Sequence, residues 1–138
     1  MYNIATSFLT LCLLRASEMN HVPPDIVASI LYVEGGREGS VSRNKNGSLD
    51  LGVMQINDRA WLKIVSEALF YGDEKKTYHE LVYNSCMNIK IGTWILSKRM
   101  DANNGNVWKA VGEYHSRNNK LAADYVVRVK KVHDKFFQ

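Results

Sequence analysis

The sequence predicts a mainly α-helical (α+β) fold of about six helices with one small β-hairpin. Three observations lead there. Apolar residues recur at three- and four-residue spacing around Ile26–Val33, Trp61–Leu69, Ile89–Met100 and Tyr125–Val132. Helix punctuation brackets these runs, with Pro23-Pro24-Asp25 at one start, Gly35-Gly36 at its stop, and Asn103-Asn104-Gly105-Asn106 further along. A short pair of segments flanks an Asn46-Gly47 turn. At 138 residues the chain is expected to form one domain over 1–138, with a sizeable core and no room for a second.

Residues 1–14 carry no charged side chain. They resemble the apolar part of a signal peptide but lack a basic start and a small-residue cleavage site. Ile4, Phe8, Cys12 and Ala16 share one helical face with Ala5 and Leu9 beside them, so an ordinary first helix to about Met19 is expected. Export of the chain would then rely on a signal already removed or on another route. No stretch is long enough to span a membrane.

Pro23-Pro24-Asp25 opens the second helix, with proline in the first turn and an acid at the positive dipole end. Ile26, Val27, Ile30, Leu31 and Val33 make it mostly buried, and Gly35-Gly36 ends it. A hairpin is expected from Ser40–Arg43 against Ser48–Leu51. Asn57 or Asp58 should cap a third helix through Trp61, Leu62, Val65 and Leu69. An exposed turn follows over Gly72–Lys76, then a short helical piece near His79–Val82. Asn84 or Ser85 caps a strong helix with Ile89, Ile91, Trp94, Ile95 and Met100 inward. Helices over Val107–His115 and Ala122–Phe136 complete the chain, the last with Tyr125, Val126, Val129 and Val132 inward.

The net charge of +4 suits an acidic polymer, although at this size it is also an ordinary solvated surface. No basic run with interleaved aromatics argues for nucleic-acid binding. Two cysteines and four scattered histidines without ligand spacing predict neither metal nor cofactor.

The chemistry concentrates in Ile30–Asn57, ILYVEGGREGSVSRNKNGSLDLGVMQIN. Glu34 lies four residues after Ile30 and three after Leu31, so it projects from the apolar face. Burial and the negative end of the helix dipole both favour the neutral acid, as a general acid near neutral pH requires. A lone glutamate at a helix end is most often a surface residue. The company here differs: E-G-G, then N-G-S-x-D ending on Asp50, then Gly52-Val53-Met54-Gln55-Ile56-Asn57. Glu38, Glu113 and Glu18 are rival carboxylates, but none joins an apolar face to flanking glycines.

This combination resembles the active-site region of lysozyme-fold peptidoglycan-cleaving enzymes, above all the small lytic transglycosylases associated with conjugation and secretion systems. The order of Glu, N-G-S-x-D and G-x-x-Q-I-N is also similar to hen-type lysozyme. The resemblance runs over roughly residues 12 to 135, strongest at 30–57 and at 84–96 (NSCMNIKIGTWIL). It implies a lysozyme-like fold and a single catalytic glutamate, Glu34. In the transglycosylases that glutamate protonates the glycosidic oxygen, then as a base takes a proton from the muramic acid 6-hydroxyl and so closes a 1,6-anhydro ring. It implies sugar-binding roles for Gln55, Asn57 and Met54, the last with simple core packing as the alternative. Tyr114 matches the tyrosine of a third family element, here Glu113-Tyr114-His115-Ser116, so Tyr114, His115 and Ser116 are expected at the substrate.

Asp50 is the possible second carboxylate of a muramidase-type hydrolase, against a role in bonding the hairpin turn. Gly35 departs from the serine that commonly follows the glutamate, which leaves Ser40, Ser42 or Ser116 as substitutes. From the same resemblance, and from helices expected to pack side by side, Cys12 and Cys86 should form a disulfide, with two buried free thiols as the alternative; the bond would imply the periplasm or cell surface. The expected partners are peptidoglycan strands and components of a secretion or conjugation machinery, with no nucleic acid, and the chain is expected to be a monomer. A non-catalytic glycan- or partner-binding module is the alternative from outside the enzymes.

Overall fold

The uncharged run folds as helix α1 (Ile4–Asn20) in a computed structural model that describes residues 4–137, with side chains from residue 7 onward. Residues 1–3 of the apolar stretch, and the side chains of Ile4 and Ala5 assigned to its inner face, lie outside the described residues. Cys12 and Ala16 are buried as the helical spacing requires, but Phe8 on the same face is 56% exposed.

Helix α2 (Pro24–Glu34) begins at the expected prolines and buries Ile26, Val27 and Ile30. After it the chain forms β1 (Val41–Arg43), β2 (Leu49–Leu51) and β3 (Ile56–Asn57), a three-stranded antiparallel sheet in the order β1-β2-β3. The hairpin is one residue shorter on each strand than expected. The third strand, only two residues long, is too short to leave a periodic signal.

Asn57 caps α3 (Asp58–Leu69), its side-chain oxygen accepting the Ala60 N–H. Val65 is buried, but Leu69 is exposed, since the last turn of α3 leaves the core. Residues expected to form an exposed turn and a short helical piece make one helix, α4 (Glu74–Tyr83). Asp73 caps it by accepting the Lys76 N–H, and this acidic cap opens the helix within a charged run that carries no apolar period. Helices α5 (Ser85–Ala102), α6 (Val107–His115) and α7 (Asn119–Phe137) follow. The last begins three residues earlier than expected, because the Asn118 side chain accepts the N–H groups of Lys120 and Leu121. The described residues thus hold seven helices rather than six.

Two compact units emerge. Among the described residues, one holds 4–12 together with Glu34–Gly92, and the other holds Leu13–Val33 together with 93–137. In the first, Leu51, Met54, Ile56, Val65, Leu81 and Ile89 are buried, each full burial contributing about 1.5–3 kcal/mol. Cys12 and Cys86 form the expected disulfide there, with Cα atoms 5.4 Å apart. In the second, α6 packs on α7, and Gly112 lets Ala122 and Val126 approach closely. Glu113 accepts from the Asn103 side chain at 3.0 Å and lies 3.7 Å from Arg99, so α6 is fastened to the end of α5. Among the described residues no helix is long and apolar enough to cross a membrane, and no group of three metal-ligating side chains gathers.

Candidate active site

In the first unit the site is built on two glycine-containing segments pressed together. Glu34 is the last residue of α2 and is half-buried. Gly35 follows at φ +62°, the left-handed conformation that ends helices and favours glycine. A serine at this position would carry a conformational cost, which accounts locally for its replacement.

Gly36 then lies against the backbone carbonyls of Gly52 and Val53, so closely that a Cβ atom there would collide with both. The loop continues to Gly39, whose N–H donates to the Val82 carbonyl at 2.7 Å. Ser85 donates to the Glu38 carboxylate at 3.3 Å, which occupies that rival acid at the start of α5. Ser40 ends the loop and accepts the Arg37 N–H at 3.1 Å.

Opposite stands the turn Gly52–Gln55. Gln55 has φ +53°, uncommon for a residue with a side chain, and such strain gathers at functional positions. Its amide donates to the Gly52 carbonyl at 3.0 Å and reaches the Ser40 hydroxyl at 3.4 Å. Glu34's exit loop, Ser40 and Gln55 therefore share one backbone support. Met54 is fully buried, with its sulfur and terminal methyl packed along Gly92.

Asp50 pairs in register with Ser42 on one side and Asn57 on the other. The Asn57 amide donates to the Asp50 carboxylate at 3.0 Å and to the Ser48 hydroxyl at 2.9 Å. Since the Asn57 oxygen caps α3, both ends of that side chain hold the sheet and the helix together. Ser42 itself is exposed.

In the second unit Tyr114 is half-buried on α6, and the exposed His115 stacks on Tyr125, ring centroids 4.5 Å apart and nearly parallel. Ser116 ends α6; its N–H donates to the Gly112 carbonyl and its hydroxyl accepts the Asn118 N–H.

Residues 12–132, most of the chain, match the transglycosylase SLT domain family. The chain belongs to that family. SLT domains are lytic transglycosylases, lyases that act on peptidoglycan, and peptidoglycan lies outside the cytoplasmic membrane. The chain is 29% identical over 121 residues to invasion protein IagB of Salmonella typhimurium, spanning 87% of this chain and 71% of that one. It is 31% identical over 111 residues to a peptidoglycan-binding-like protein of Escherichia coli O157:H7, spanning 76% and 63%. It is also 29% identical over 106 residues to protein IpgF of Shigella flexneri, spanning 76% and 64%.

Two further residues of this SLT domain stand out beside the expected site residues. Asn88 is 0% exposed and makes three hydrogen bonds, and Gly36 has no room for a side chain. Asn88 was visible as a lone amide between apolar Ile89 and Ile91 on one side and Cys86-Met87 on the other, a pattern that asks for buried partners.

Proposed function

We propose that this SLT domain cleaves the β-1,4 bond between N-acetylmuramic acid and N-acetylglucosamine, with Glu34 as both acid and base. The Glu34 carboxyl gives its proton to the glycosidic oxygen as the C1–O bond breaks, and the substrate's own N-acetyl carbonyl shields the cationic centre. The resulting carboxylate takes the proton of the muramic acid 6-hydroxyl while O6 bonds to C1. This yields a 1,6-anhydro end and consumes no water. Gln55 on the adjoining turn and Asn57, with Tyr114, His115 and Ser116, are assigned to substrate binding; Met54, expected there too, is fully buried and is assigned to packing of the turn.

The observation that carries this reading is the seating of Gly36 on the Gly52 and Val53 carbonyls. It fixes the segment leaving Glu34 on the turn that bears Gln55. The hydrolase reading would need Asp50 as a second carboxylate, but its bond from Asn57 supports a structural role in the sheet.

A place beside a secretion, conjugation or pilus apparatus is supported by the relative named as an invasion protein. Action in the periplasm or at the cell surface is supported by the Cys12–Cys86 disulfide. Mass spectrometry of products released from purified peptidoglycan tests the chemistry. Anhydro ends, one water lighter than hydrolytic ends, are expected from the wild type and from Asp50→Asn alike. Hydrated ends together with a dead Asp50→Asn variant would assign the reaction to a hydrolase.

A further inference from the structure

We propose that Asn88 is a positioning residue for Glu34, acting through the Gly52–Met54 turn; this rests on the reading of Glu34 as the acid and base. Asn88 lies within α5 and is fully buried. Its amide nitrogen donates to the Leu51 carbonyl at 2.9 Å and to the Leu81 carbonyl at 2.8 Å, and its oxygen accepts the Met54 N–H at 2.9 Å. Both N–H donors of the side chain are therefore used, along with an acceptor site.

The bonds to Leu51 and Met54 grip the turn on either side of Gly52 and Val53. Gly52 sits at φ +68°, with its α-carbon so close to the Asn88 side chain and the Leu81 carbonyl that no Cβ fits. One helical turn further along α5, Gly92 leaves the space that Met54 fills. A single face of α5 thus holds the turn by a hydrogen-bonded clamp at one level and a packed side chain at the next.

The consequence falls on the carbonyls of Gly52 and Val53. Gly36 rests on both, two residues after Glu34, and the Gly52 carbonyl also receives the Gln55 amide. Asn88 is therefore connected to Glu34 and to Gln55 through one turn of backbone, whereas the buried hydroxyls of Ser29 and Thr77 each bond a carbonyl only four residues earlier. Acid catalysis needs the carboxyl placed within a fraction of an ångström, so a small displacement of this turn reaches the chemistry.

Asn88→Asp tests the assignment, because it keeps the size and the acceptor for Met54 but turns an oxygen toward two carbonyls. The variant, the wild type and Glu34→Gln are compared on purified peptidoglycan for kcat and KM across pH, per folded molecule. Hydrogen exchange at the Met54 amide is followed alongside. The expected result is a kcat lowered by about 10- to 100-fold with KM little changed, and faster exchange at Met54 while α6 and α7 stay protected. The ratio of variant to wild-type kcat should rise as pH falls, since the protonated carboxyl regains one O–H donor.

Should Asn88→Asp fail to fold, Asn88→Ser, too short to reach both carbonyls, is expected to show the same loss of kcat without the pH recovery. A folded variant with wild-type kcat, or a loss that only follows the unfolded fraction with a flat pH ratio, overturns the role of Asn88. A wild type that releases nothing from peptidoglycan, or an undiminished Glu34→Gln, overturns the reading of Glu34 and the positioning role with it.

Discussion

His133 and Asp25, 108 residues apart in sequence, meet at 2.6 Å between Nε2 and Oδ2 and tie α7 to the first turn of α2. The hydrogen bond to Asp25 is the main cause that raises the His133 pKa above 6.5; burial opposes it, and Asp134 on the Nδ1 side adds to it. The Trp108 ring meets the imidazole edge-on, with the Lys130 ammonium over its face. A raised folded pKa means that the charged pair stabilises the fold fully below the unfolded value and loses that contribution as pH rises through the folded one.

Asp25→Asn is accordingly expected to cost stability at about pH 5.5, where His133 is charged and Asp25 still ionised, by up to about 1 kcal/mol because Asp25 is partly exposed, and to cost less at about pH 8.5. Denaturant unfolding at the two pH values checks this. A loss equal at both would assign the effect to the α2 dipole alone.

Breaking the Cys12–Cys86 bond releases a long loop in the unfolded chain, since the two residues are 74 apart in sequence. In the chain-entropy model a closure of this length contributes about 4 kcal/mol. The double variant Cys12→Ser, Cys86→Ser should lose roughly 2–5 kcal/mol and melt at a markedly lower temperature. Unfolding of the oxidised protein with and without reductant should give the same difference.

Glu34→Gln preserves shape and much of the hydrogen bonding but can neither give nor take the proton. Activity on peptidoglycan should fall by about 10²–10⁴-fold or more, because one residue serves both steps. Stability should hold or rise slightly, since a negative charge at the C-terminal end of α2 is unfavourable. The two readouts together separate the proposed role from a structural one, which would lose stability and activity in parallel.

Gly36→Ala places a methyl group where the carbonyls of Gly52 and Val53 stand, and these backbone atoms cannot swing aside as a side-chain tip would. Overpacking of this kind costs typically about 1–3 kcal/mol. Activity should fall beyond what the lost stability explains, because the loop leaving Glu34 has to shift. Gly72→Ala is the comparison: its φ of +82° carries strain, but its Cβ meets open space, so turnover should stay at the wild-type level.

Much of this protein was set by short-range signals. Prolines and Asp25 open α2, glycines close it, Asn57 caps α3, and apolar spacing buries Ile30, Val65, Ile89 and Val129; each acts within about four residues, so the sequence displays it directly. Glu34 could be singled out for the same reason, because helix end, apolar face and glycines are contiguous. The Cys12–Cys86 pairing was expected from the family resemblance and from two helices packing side by side, and the structure holds that bond. The tertiary structure alone decided what depends on distant partners. The two-residue strand β3 exists because β2 runs beside it, and Phe8 and Leu69 are exposed because no described neighbour covers their ends of the helical face. The amide of Asn88 became informative only when Leu51, Met54 and Leu81, 37, 34 and 7 residues away, were brought around it. A buried polar group must find partners wherever the chain delivers them, and one-dimensional spacing does not record those meetings.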